Sequence, residues 1–284
     1  MKTLTLTAAS ILALSTGSAF ADAHANTMGY ALAGDGMTLV TMDSIAAPDE
    51  AQTFDLSAKL HAIAYRPVTG DLLGIGDGMI YTINPATGEL TDLGASFGED
   101  ATIGEGAMVA FDFNNAIDAV RAVSSTGDNL VYFPEGFGDN DDRANTVVRM
   151  TDLAWAEGDA NADVTPNVFA NAYTNAIAGM TAESTFQYAL DANANALISV
   201  ANNDGTLASI GYVTVDGETV DLSAMGGFDI VSAEEGSDAA YAILQMDGAD
   251  TAGLYSIDLE SGAATLLSDL GMGGFSGFAV SMGM

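Results

Sequence analysis

The stretch MIYTINPATGELTDLG (residues 79–94) reads as a strand, a turn and a second strand, and GLYSIDLESGAATLLSDLG (253–271) says the same thing again. Each opens on a run rich in β-branched and aromatic residues, which suits a pleated, half-buried surface. Each turn begins with Asn84 or Asp258, whose side chain can hydrogen-bond the turn's backbone, and ends near Gly88 or Gly262, which accepts positive φ. Repetition of a whole supersecondary unit far along a chain points to a repeat architecture before any local reading of helix or strand.

Five segments share an aromatic-led opening: Ala62-Ile63-Ala64-Tyr65, Val109-Ala110-Phe111-Asp112, Ala170-Asn171-Ala172-Tyr173, Gly226-Gly227-Phe228-Asp229 and Ser276-Gly277-Phe278-Ala279. Four of them are followed by a second strand (from Leu72, Ala119, Phe186 and Ala240), then a third and a fourth. The fifth opening has only residues 281–284 after it, whereas residues 29–56 hold three strands with no opening of their own. Joining the two ends completes one unit and removes exposed sheet edges, the physical reason for such closures. The expected fold is therefore all-β: a single β-propeller of five four-stranded blades, closed by pairing of the N- and C-terminal strands. A sixth blade hidden between Phe111 and Tyr173, the longest interval, is the alternative.

Lys2, the short apolar run 4–14 and Ala19-Phe20-Ala21 have the order of an export signal with an A-x-A cleavage site. Residues 1–21 are read as a signal peptide and residues 22–284 as the propeller domain, exported to the periplasm or the extracellular medium. No later run approaches the roughly 20 apolar residues a membrane span needs. Hydrophobic residues make up 49% of the chain, enough for a sizeable core, and cysteine is absent, so packing rather than disulfides must hold the domain together. The lack of cysteine also excludes thiol catalysis and zinc–cysteine sites. With 39 acidic against 6 basic residues the net charge is −33. Nucleic acid, which must be neutralised by Lys and Arg, is not an expected partner.

The wording of the repeats resembles a bacterial family of exported proteins, the domain of unknown function numbered four-three-nine-four. The resemblance rests on AIAYRPVTGDLLGIGDGMIYTINPATGELTDLG (62–94), FDFNNAIDAVRAVSSTGDNL (111–130), GDANADVTPNVFANAYTN (158–175) and GFAV (277–280). It implies a secreted, propeller-like repeat domain, and it carries over no catalytic residues.

The position after each opening aromatic should recur at one depth around the axis: Arg66, Asp112, Thr174, Asp229 and Ala279. Arg66, Asp112 and Asp229 are candidate ligand-binding residues of an axial pocket. The competing reading is a structural network between blades, joined by Arg121, since buried charges must be paired. Asp159, Asn161 and Asp163 alternate like the first half of a calcium loop, but Val164 and Ala170 stand where such a loop needs Gly and Glu. A looser Ca2+ site on these three residues and an Asx-rich connection between blades both remain open. His61 has no second histidine near it in sequence, and no Ser-centred elbow or phosphate loop occurs.

The expected function is a non-catalytic binding module for a protein, a glycan or a small ligand, acting as a monomer. The alternatives are a metal-assisted hydrolase or lactonase with an axial carboxylate site, and a calcium-stabilised surface or matrix protein.

Overall fold

The computed structural model describes residues 26–138 and 141–283. The expected signal peptide lies outside the described residues, as do Asp139 and Asn140 of the acidic stretch Asp139-Asn140-Asp141-Asp142. The described residues form five small sheets set around an axis, a five-bladed propeller. Counting from the axis outward, the first blade is Ala62–Tyr65, Leu72–Gly76, Met79–Ile83 and Leu90–Asp92. The second is Val109–Asn114, Ala119–Ser124, Asn129–Phe133 and Thr146–Arg149. The third is Val168–Tyr173, Gln187–Asp191, Ala196–Val200 and Thr206–Tyr212. The fourth is Leu222–Ser232, Asp238–Met246, Ala252–Ile257 and Ala263–Asp269.

The fifth blade is shared between the chain ends. Gly277–Ser281 is its inner strand, and Met28–Ala33, Thr38–Met42 and Gln52–Asp55 follow outward. The junction is antiparallel, with Ala31 opposite Phe278 and Tyr30 opposite Ala279. Inner strands pack in chain order around the axis, and the fifth returns to the first.

Linkers do more than connect. Ser96–Phe97, leaving the first blade, runs parallel along the outer strand of the second. Ala154–Trp155 laps onto the third blade in the same way, and Thr214–Val215 onto the fourth. These laps cover rim edges that would otherwise expose unpaired backbone groups. They also explain why the openings stand further apart than four strands require. The interval from Phe111 to Tyr173 holds a long loop and one lapping segment, not a sixth sheet.

The core is distributed as walls between neighbouring blades. Ala62, Leu73, Ile75, Phe111, Phe113, Val120 and Tyr132 fill the wall between the first and second. Phe169, Leu190, Leu197, Phe228, Ala242 and Tyr255 fill that between the third and fourth. Close to the axis the residues must be small, because five strands converge there. A methyl group on Gly227 would stand 2.4 Å from the Phe278 nitrogen of the adjacent inner strand, so only glycine fits.

One buried cation ties two blades together without a carboxylate. Arg121, 4% exposed, donates from Nε to the Tyr173 hydroxyl (2.8 Å), from Nη1 to Asn129 Oδ1 and from Nη2 to Asn203 Oδ1 (2.8 Å). Replacing a guanidinium that satisfies three acceptors leaves those groups unpaired in a dry setting. Arg121→Met is therefore expected to lower unfolding stability by about 3 kcal/mol. Urea denaturation checks this, and an unchanged midpoint would remove Arg121 from the scaffold's supports.

Candidate functional site

Of the residues after the opening aromatics, Asp112 and Asp229 meet at the end toward which the inner strands run. Asp112 and Asp229, each 4% exposed, line one cavity of about 10 Å³, room for about one water. Their geometry is nearly the same. Asp112 accepts the Tyr173 N–H of the third blade (2.7 Å), and Asp229 accepts the Val280 N–H of the fifth (2.7 Å). Asp229 also accepts the Ile230 N–H (2.7 Å). Each carboxylate thus clips its blade to the next inner strand, using backbone groups that no strand pairs.

Burial pushes Asp112 well above the usual carboxylate range, and the charge of Asp229 adds to the rise against the N–H groups of Tyr173 and Phe113. Burial likewise raises Asp229 to about 7, against the N–H groups of Val280 and Ile230. Arg66 does not line this cavity. Its guanidinium pairs with both oxygens of Asp118, from the turn of the second blade, with Nε to Oδ1 at 2.8 Å. The three candidate axial residues therefore split: Asp112 and Asp229 come together, and Arg66 is engaged elsewhere.

A segment of the third blade seals this end. Residues 174–186, between the blade's first two strands, cross the axis, and Ala176 and Ala178 form part of the cavity wall. The Gly179 N–H reaches Pro67 O of the first blade (2.9 Å), and the Ala182 N–H reaches Asn115 O of the second (3.2 Å). Asn175 donates its N–H to Asp238 (2.8 Å) and its amide to Glu235 (2.9 Å) of the fourth, where Ile177 also bridges Ser232. Four blades hold one plug.

The second candidate site folds as a tether. Asp159 accepts the N–H (2.8 Å) and hydroxyl (2.6 Å) of Ser209, and the Asn161 amide donates to the same hydroxyl (2.8 Å). Burial raises the Asp159 carboxyl, but the Ser209 and Asn161 hydrogen bonds outweigh it and hold the group low. Asp163 is exposed and apart from this knot. Among the described residues no group of three or more His, Asp or Glu side chains is arranged to hold a metal ion.

The opposite end of the axis is open. The loops that lead into the inner strands gather there around a pocket of about 200 Å³. Lys59, Leu60 and His61 come from the first blade, Gly106 to Met108 from the second, Met225 from the fourth, Gly274 to Ser276 from the fifth, and Asp35 from a turn of the fifth. His61 Nε2 lies 2.6 Å from Asp77 Oδ1, a carboxylate on the hairpin turn beside it. That hydrogen bond holds Asp77 below its usual range. His61 also borders a neighbouring groove of about 330 Å³ with Asp77, Phe97 and Ile103. Sequence reasoning singled out neither Lys59 nor this mouth. The signal was present, because each residue group lies just before an opening strand, and the ring had to bring those positions together.

The structure can be set beside solved ones. A protein of unknown function from Bacteroides thetaiotaomicron is 15% identical, with a TM-score of 0.44 over 79% of this chain and 53% of that one. An auxiliary nutrient binding protein from Bacteroides ovatus is 13% identical, with a TM-score of 0.41 over 75% of this chain and 55% of that one. The chain thus spans about half the length of each. A nidogen/laminin complex matches with a TM-score of 0.44 at 11% identity, over 89% of this chain and 98% of that one. No curated protein matches the chain. The family model for the domain of unknown function DUF4394 matches residues 37–279, nearly all of the propeller from its second strand to its last, and the chain belongs to that family.

Proposed function

We propose that this propeller is a non-catalytic binding module whose ligand seats at the open mouth of the axis. One observation carries the reading: the two ends of the channel are built for different purposes. At the far end the carboxylates that could serve catalysis are spent as clips between blades, under a plug held by hydrogen bonds. At the mouth, polar side chains and apolar walls converge on a pocket that no segment of the described chain crosses. A few polar groups set in an apolar concavity is the usual composition of a small-molecule site. Rigid strands place these loops, and function in such folds resides in the loops.

The test is a melting-temperature screen of the protein against amino acids, sugars, lactones and metal salts, since a ligand of the native state raises the midpoint. Met225→Trp, which fills the mouth, is expected to abolish the shift that a hit produces, while Ala178→Ser in the far plug leaves it in place. A shift that survives Met225→Trp, or turnover of a lactone that depends on Asp112 or Asp229, would overturn the reading.

A further inference from the structure

We infer that the mouth takes a zwitterion of amino-acid size with an apolar side chain, its carboxylate on Lys59 and its ammonium on Asp35. This deepens the preceding proposal and rests on the mouth being the binding site. Arg66, Arg143 and Arg149 each pair with an aspartate, and Arg121 is buried among neutral acceptors. Lys59 is the one lysine among the described residues. In a chain with 39 carboxylates it is exposed, lines the pocket, and forms no ion pair with any described one, its charge reaching Asp77 only at longer range.

Asp35 is its counterpart. It sits in a short turn with φ at 56°, left-handed backbone that an aspartate adopts more readily than most residues. It is exposed, lines the same pocket, and makes no hydrogen bond or ion pair with any described residue. The two opposite charges therefore share a pocket without neutralising one another. Met108 and Met225, with the buried Leu60 and Phe275 behind them, line the same pocket as an apolar wall, and methionine can adapt to side chains of different shape.

The whole-molecule field narrows the class. A net charge of −33 repels a free anion from the surface and draws cations everywhere, so neither sign is selected at this spot. A zwitterion has no net charge to be repelled, yet satisfies both Lys59 and Asp35 when it docks. The volume of about 200 Å³ accommodates one amino acid.

Isothermal titration calorimetry of the protein with L-leucine and L-phenylalanine tests this. Binding is expected for both, with glycine at least about tenfold weaker because it offers nothing to the apolar wall. N-acetyl-leucine, lacking the ammonium, and leucinamide, lacking the carboxylate, are each expected to bind about tenfold or more weakly than leucine. Lys59→Gln should weaken leucine but leave leucinamide unchanged, and Asp35→Asn should weaken leucine but leave N-acetyl-leucine unchanged. Equal affinity for leucine and its two blocked forms overturns the proposal, and so does leucine binding that neither substitution alters. Failure of leucine and phenylalanine to bind also overturns it. In that case binding of another compound that Met225→Trp abolishes would leave the mouth standing as the site.

Discussion

Between about pH 4 and pH 8 the protein is expected to lose stability, and the buried carboxylates at the sealed end are the cause. An unfolded aspartate titrates near 3.9. In the native state burial lifts Asp229 to about 7, and burial with the charge of Asp229 lifts Asp112 well above its usual value. Between those values the folded protein holds protons that the unfolded chain has released. Stability then falls as pH rises, because the unfolded state binds fewer protons than the native one. The contribution is fully present below about pH 4 and is lost as pH climbs through the folded values. A rise of about three units on one group corresponds to on the order of 4 kcal/mol. That is a large share of the roughly 5–15 kcal/mol by which domains are stable.

Asp128 acts in the opposite sense at lower pH. Burial raises it, but Gly104 N–H, Ser124, Thr126 and Arg149 together hold it down to about 2. Its contribution is present above about pH 4 and disappears as pH falls toward 2. Stability should therefore peak near about pH 4 to 5. Urea midpoints across this range measure the slope. Asp229→Asn loses one accepted backbone hydrogen bond and should be weaker at pH 5, yet its decline toward pH 8 should be shallower than the parent's. General repulsion among surface carboxylates contributes equally to both proteins, so the difference isolates the buried group. Parallel slopes would mean that Asp229 is not protonated in the native state.

Removing residues 277–284 is expected to abolish cooperative folding. Those residues provide the inner strand of the fifth blade, paired from Gly277 to Ser281 with Leu32 to Met28. Phe278 and Val280 are at most 3% exposed, and each buried side chain of this kind is worth about 1.5–3 kcal/mol. Loss of Val280 also leaves Asp229 without its cross-blade donor. The first and fourth blades would then face each other across a missing inner strand. Together these losses rival the whole stability of a domain. Circular dichroism and a denaturant titration of the truncated chain provide the check: a single steep transition near the parent's midpoint would show that ring closure is dispensable.

The scaffold was legible because it is written in local chemistry repeated five times. Strand composition around Tyr81 and Tyr255, Asx-Gly turns at Asn84 and Asp258, and the orphan strand at Phe278 suffice to infer blades and closure. The lapping strands were not legible, since two residues such as Ala154–Trp155 carry no period. The axial placement of Asp112 and Asp229 followed from repeat position, but the partner of Arg66 did not. Asp118 lies in a turn of the next blade, and only the lean of one blade on another brings it within reach. His61 illustrates the same limit: its carboxylate, Asp77, is supplied by a hairpin whose tip position depends on strand twist. Lys59 and Asp35 share the mouth because the segment after the fifth blade's outer strand folds back onto the turn at Gly36, where the Leu60 N–H donates to Gly36 O (2.9 Å), and no period in the sequence announces that contact.

The laps on the rim have a consequence for how these molecules meet one another at high concentration. Three successive blades have two residues of their outer strand paired with a borrowed segment, so part of each edge is already occupied. Among the described residues the outer strands Leu90–Asp92 and Gln52–Asp55, on neighbouring blades, carry no such lap. The edge most open to adhesion between copies is thereby one sector of the circumference. That sector carries Asp92 and Asp55, whose like charges oppose the approach of an identical strand.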